Sequence, residues 1–147
     1  MKNNNYKKIY LAGTIYNSDS FGSKWKTELM KSFLHTINVS YIFYDPNPTT
    51  NIDINKDKYL VTRDKATIEE CDILIAYIEK ITFGTTMEIL HAFNNNKLII
   101  IIDPNNDFKE DLWLNFHSHY IVNDTVSVTN IMSRLFSDEL KIKTIIV

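Results

Sequence analysis

Cysteine, glycine and proline are all scarce in this sequence, and neither sign of charge prevails. One cysteine, Cys71, leaves no intrachain disulfide to form, which fits a reducing compartment. Three glycines and three prolines punctuate 147 residues, and no repeat or low-complexity stretch is present beyond short asparagine runs. Lys and Arg total 16 against 18 Asp and Glu, a formal charge of −2. Such a balance gives no general attraction to a nucleic acid polymer or an anionic membrane. Long hydrophobic runs are missing too. The longest, Leu98–Ile102, is far too short to span a bilayer, and no apolar stretch follows the basic start of the chain. The expectation is a soluble, unexported, cytoplasmic protein.

What is present is an ordinary globular balance, 44% hydrophobic and 23% charged, in a length that suits one domain over 1–147. Apolar runs alternate with segments of helical period. Strands are expected at Lys8–Gly13, Val39–Tyr44, Asp72–Ile78, Leu98–Ile102 and, shorter, His119–Val122. Helices are expected at Ser23–His35, at Tyr59–Glu70 with Leu60, Ala66 and Thr67 inward, at Gly84–Asn95 and at Ser127–Leu140. Asn47–Lys58 reads as a polar loop, and Ile142–Val147 as an apolar tail of open form. Alternation with nearly continuous apolar strands points to a parallel sheet covered on both faces. The expected fold is a flavodoxin-like doubly wound α/β sandwich, five strands in order 2-1-3-4-5, with its ligand at the carboxyl ends of the strands.

That rule directs attention to three loops: Gly13–Gly22, Asp45–Asp57 and Glu79–Gly84. Gly13, Gly22 and Gly84 all border them, and each is either a plain turn or a place where a ligand nears the chain. Glu88 lies just beyond the third loop. Thr85 and Glu88 match a capping box, with threonine as N-cap. The functional alternative is a carboxylate at a helix entrance, kept ionised by nearby N–H groups and able to attack an anomeric carbon. Asp64, taken locally, reads as part of a solvated helix face with Arg63 and Lys65. His117 and His119 have no third partner at metal-ligand spacing, so no metal site is expected. Cys71 reads as a small buried residue. Tyr6, Tyr10, Tyr41 and Tyr44 read as core or rim, whereas Tyr16 stands just past the first strand.

Three stretches together resemble the nucleoside 2-deoxyribosyltransferase family. Ile9-Tyr10-Leu11-Ala12-Gly13-Thr14-Ile15 is similar to its opening strand and base-binding loop. Arg63-Asp64, followed by Asp72-Ile73-Leu74-Ile75-Ala76, is similar to its helix-to-strand passage. Gly84-Thr85-Thr86-Met87-Glu88-Ile89-Leu90-His91-Ala92 is similar to the segment that carries the family's nucleophilic glutamate. The resemblance implies an enzyme that cleaves the N-glycosidic bond of 2′-deoxynucleosides and transfers the deoxyribose to another nucleobase. Glu88 would form the covalent intermediate and Asp64 would protonate or orient the leaving base. Gly13, Thr14, Ile15, Tyr16, Thr82, Gly84 and Ser118 would contact substrate, with Tyr16 stacking on the base or holding Glu88. No cofactor is implied, and a homo-oligomer with a shared site is. Thr82 stands where many transferases of the family carry an aspartate, and where related 2′-deoxynucleoside 5′-monophosphate N-hydrolases carry a serine. A hydroxyl there donates to a phosphate that a carboxylate would repel. Hydrolysis of monophosphates therefore stands as an alternative to transfer, and a non-catalytic nucleotide-binding module as another.

Overall fold

A computed structural model of the chain describes residues 6–13, 21–36, 40–45 and 54–136. In order these form β1 (Tyr6–Gly13), α1 (Phe21–Thr36), β2 (Ser40–Tyr44), α2 (Ile54–Glu70), β3 (Ile73–Tyr77), α3 (Phe83–Asn94), β4 (Leu98–Ile102), α4 (Leu112–Phe116), β5 (Tyr120–Val122) and α5 (Thr125–Leu135). The five strands pair in parallel in the order β2-β1-β3-β4-β5. This is the doubly wound order expected, with the topological switch between β1 and β3. Among the described residues no helix is long and apolar enough to cross a membrane.

The apolar strands follow from burial on both faces. Alternate side chains of a strand point to opposite sides. Ile9, Leu11, Ile73, Ile75, Ile100 and Ile102 enter the core beneath α1 and α5, together with Trp25, Leu29, Phe33 and Met132. Tyr10, Ala12, Leu74, Ala76, Ile99 and Ile101 enter the core beneath α2 and α3, with Ile68, Ile89 and Ala92. A strand with no solvent face has no place for a polar alternation. Tyr10 is fully buried on the α2/α3 side, and its hydroxyl must find a partner there.

Several boundaries differ from the sequence reading. α2 begins at Ile54, so the second half of the expected Asn47–Lys58 loop is helix. Its inward stripe runs through Leu60, Asp64 and Ile68, spaced by one turn, while Ala66 is exposed. α1 begins at Phe21 and takes in Gly22. β5 is one residue shorter at its start, and α5 starts at Thr125, capped by Asp124. The short helix α4 was not anticipated. Its five residues are too few for a periodic signal, and its start is set by Asp111, whose side chain accepts from Leu114 N at 2.8 Å. Residues 137–147, including the expected apolar tail, lie outside the described residues.

Asp103 closes β4 and sets the turn toward α4. It is 1% exposed, and its carboxylate accepts from Asp107 N at 3.1 Å and Phe108 N at 2.8 Å. Its backbone oxygen accepts from Asn123 Nδ2 at 3.1 Å. Asp103→Ala leaves two backbone donors without their charged acceptor and is expected to lower unfolding stability by about 2–3 kcal/mol in urea denaturation.

Candidate active site

The third crossover places a carboxylate at the switch point. α3 starts one turn earlier than a Thr85 cap would have it. Thr82 is the N-cap, its side chain accepting from Thr85 N at 3.4 Å and its hydroxyl donating to Thr85 Oγ1 at 3.0 Å. The expected capping box is therefore replaced, and Glu88 lies in the second turn of the helix instead of its first. From there it turns toward the sheet. Tyr10 of β1 donates its hydroxyl to Glu88 Oε1 at 2.8 Å.

The electrostatics also differ from the expectation that helix N–H groups would keep Glu88 ionised. Burial pushes the Glu88 carboxyl up from 4.5 to about 7, opposed by the Tyr10 hydrogen bond. The negative charge of Asp64 raises it further, and the positive charge of Lys26 lowers it. Tyr10 is driven upward as well, chiefly by burial and then by the charges of Glu88 and Asp64. The tyrosine therefore remains a donor across the working pH range, and Glu88 is poised near neutrality between acid and anion.

Asp64 is brought to the same place. Its side chain is 19% exposed, unlike the solvated face the sequence suggested. Arg63 donates to its Oδ1 from Nε at 3.0 Å and from Nη2 at 2.8 Å. Asp64 and Glu88 line one cavity of about 620 Å³ between α2 and α3, together with Val61, Gly84, Met87 and His91. That volume lies within the range of small-molecule sites, about 300–1,000 Å³. His91 is held by Glu69, with Nε2 and Oε1 2.9 Å apart.

The other residues named from sequence are distributed unevenly. Gly84 lines the cavity, and a Cβ built on it would meet nothing within 4 Å. Gly13 ends β1, but a Cβ there would come 3.2 Å from Trp25 Cζ2, so its bareness admits an indole. Thr82 is occupied by the helix cap. Ser118 lies in the turn before β5, at the amino end of the sheet and away from Glu88. Thr14, Ile15 and Tyr16 lie outside the described residues. His119 Nδ1 accepts from Ile99 N at 3.0 Å, and His117 stacks on Trp113, so both histidines serve local structure. The residue beside Glu88 that sequence reasoning passed over is Tyr10. Its signal was a tyrosine in a strand otherwise wholly apolar at its centre.

Glu88 supplies a stability test with a definite sign. Its folded value lies above its ordinary one, so the native state holds the proton more tightly. The associated stability is present below pH 4.5 and is lost as pH rises through about 7. Glu88→Gln does not suffer that loss. Its stability relative to the parent is expected to grow by about 2–3 kcal/mol between pH 5 and pH 8.5, read by chemical denaturation at each pH.

No known family's sequence profile matches the chain, and no curated protein matches it either. Solved structures do. A 2-deoxyribosyltransferase from the psychrotolerant bacterium Bacillus psychrosaccharolyticus superposes with a TM-score of 0.67 at 18% identity, over 84% of this chain and 90% of that one. The CMP N-glycosidase BcmB of Clostridium botulinum gives a TM-score of 0.52 at 20% identity, over 88% of this chain and 99% of that one. The molybdenum cofactor binding protein of Rippkaea orientalis gives 0.59 at 13% identity, over 88% and 97%. At such identities the likeness establishes the fold, which this chain shares with a 2-deoxyribosyltransferase, an N-glycosidase and a cofactor-binding protein alike.

Proposed function

We propose that the chain is an enzyme that cleaves the N-glycosidic bond of 2′-deoxynucleosides and transfers the deoxyribose to a second nucleobase, with Glu88 as nucleophile. The observation that carries this reading is the Tyr10–Glu88 pair beside Asp64, at the switch point of the sheet. A core-facing carboxylate with one oxygen fixed by a tyrosine has its other oxygen, Oε2, available for attack. A double-displacement reaction requires a carboxylate so placed, able to form and release a covalent bond to the sugar.

The reaction follows from the residues. Oε2 of Glu88 bonds to C1′ as the C1′–N bond breaks, and the base departs with that electron pair. Asp64, whose Oδ1 is engaged by Arg63, presents Oδ2 to the departing base, orienting it and relaying to it a proton drawn from water. The ring nitrogen of a second base then attacks C1′ and returns its own proton to water by the same route, the ester bond breaks, and Glu88 recovers its carboxylate. The absence of a 2′-hydroxyl eases formation of the oxocarbenium-like transition state. Thr82 has its hydroxyl engaged in the helix cap, which favours a free 5′-hydroxyl over a phosphate as the usual substrate group.

The same reading includes self-association. Ile81, Phe83, Met87, Leu90, Leu112, Trp113 and Phe116 form exposed apolar surface across α3 and α4, with Phe83 87% and Trp113 73% exposed. Met87 and Leu90 also border the Glu88 cavity, so whatever covers this face also walls the site. Aromatic side chains bury about 150–250 Å² each, so three of them with four aliphatic neighbours approach the ~800 Å² per partner of a standard interface. The occupant we assign is a second copy of the chain.

Chromatography of each deoxynucleoside and monophosphate, with and without an added base, tests the activity. A new deoxynucleoside appearing only with the added base is the expected product. Free base released from monophosphates regardless of acceptor would instead identify a hydrolase, and no turnover would leave a binding module. Glu88→Ala is expected to lose at least about a thousandfold in kcat/KM. In the parent, kcat/KM should climb with pH through about 7 as Glu88 ionises. Trp113→Glu should convert the oligomer to monomer in analytical ultracentrifugation, and retention of the oligomer would refute the assigned face.

A further inference from the structure

The cavity that holds Glu88 extends well past it along α3. Gly84, Met87, Glu88, His91 and Asn94 all border it. Their spacing of three and four residues puts them on one face of the helix, over a length of about 15 Å. Thr82, the N-cap, lies before one end of this stripe, and His91 lies one turn beyond Glu88 toward the other. A deoxynucleoside with C1′ at Glu88 and its 5′ group toward Thr82 therefore lays its base across His91.

His91 is equipped for more than lining. Its Nε2 stands 2.9 Å from Oε1 of Glu69, near the end of α2. A carboxylate accepts, so Nε2 carries a hydrogen and donates it, and Nδ1 is the nitrogen left to gain and lose a proton. Among the described residues Nδ1 has no hydrogen-bond partner. The imidazole is 19% exposed against 52% for Glu69, so the histidine is the inner member of the pair. Any donor and acceptor could link α2 to α3. A histidine in that link, on the wall of the cavity, adds a group that both gives and takes protons near neutrality. Its neighbours at this end of the cavity do not, since the ammonium of Lys65 has only donors and the amide of Asn94 does not titrate.

The reaction has a use for such a group. The departing base takes up a proton that comes from water, and the second base gives one back. We propose that His91 is a catalytic acid–base of the Glu88 site, the group through which that proton passes between water and the base. This rests on the reading of Glu88 as nucleophile. The imidazolium gives up its Nδ1 proton toward the base, by way of Asp64, as the C1′–N electron pair moves onto the base. The neutral imidazole takes back the ring proton of the second base as that nitrogen bonds to C1′ and the ester bond breaks. Over the full round no proton is gained or lost. Glu69 holds the ring throughout and fixes which nitrogen faces the traffic.

The test measures kcat/KM of the full chain with the deoxynucleosides that the parent cleaves and with 7-methyl-2′-deoxyguanosine, whose base is already cationic and departs without a proton. His91→Gln keeps an amide donor for Glu69 and cannot carry a proton, so it separates catalysis from a strut between the helices. It is expected to lose about a hundredfold on ordinary deoxynucleosides and less than about threefold on the methylated one. His91→Ala should lose as much on ordinary substrates, and added imidazole should restore about tenfold of it. A His91→Gln chain as active as the parent, or one with equal losses on both kinds of substrate, would overturn the proposal and leave the pair a strut. Should His91→Gln fail to fold, the presence or absence of imidazole rescue in His91→Ala decides. Glu88→Ala is run beside them and should lose on both kinds of substrate alike. A fully active Glu88→Ala would fail the nucleophile reading whatever His91→Gln does. A fully active His91→Gln beside an inactive Glu88→Ala would fail the His91 proposal alone.

Discussion

The hydrogen bond between Tyr10 and Glu88 joins the centre of the sheet to the helix that follows β3, and the site is organised around it. One end is a fully buried tyrosine that needs an acceptor, and the other is a carboxylate that needs an orienting donor. Each satisfies the other across the switch point, where the fold leaves room for a ligand. The bond also works against the burial that raises the carboxyl toward about 7. Burial prevails over it, so Glu88 stands near neutrality between acid and anion, and the charges of Asp64 and Lys26 shift that position further.

Those groups come from both layers of the sandwich. Asp64 and Arg63 approach from α2, while Lys26, paired with Asp45 after β2, lies on α1 in the other layer. A parallel sheet makes this possible, since its carboxyl ends form a single edge where helices of both layers begin. The same topology puts Ser118 at the opposite edge from the Glu88 of its own chain, in the turn before β5.

Much of the fold was legible because burial writes itself into composition. Short continuous runs such as Leu98–Ile102 suit strands with no wet face, and their alternation with helical periods pointed to the doubly wound order that the sheet has. The site was legible in part. Glu88 and Asp64 stood out through a family likeness, whereas their local settings misled. Thr85 looked like a helix cap because its spacing to Glu88 suits one, yet Thr82 lies three residues earlier and takes the cap from a hydroxyl geometry that sequence does not display. Asp64 looked solvated because its neighbours are charged, although Leu60 and Ile68 flank it at one-turn spacing and mark its face as buried. Tyr10 was read as core, which it is, and the hydrogen bond at its tip depends on a residue far away in the chain. Lys26 gave no signal, since its burial is decided by Asp45 on another element.

Gly84 carries a consequence for how this cavity is kept open. Its backbone has no left-handed φ to accommodate, and a Cβ there would touch nothing. In the first turn of α3 an alanine would fit and would favour the helix by up to about 1 kcal/mol. The glycine is thus dispensable to the fold and useful only to the space in front of it, at the mouth of the cavity. A single side chain at this position would act as a graded doorstop, setting the bulk of what enters while the helix and its carboxylate stay in place.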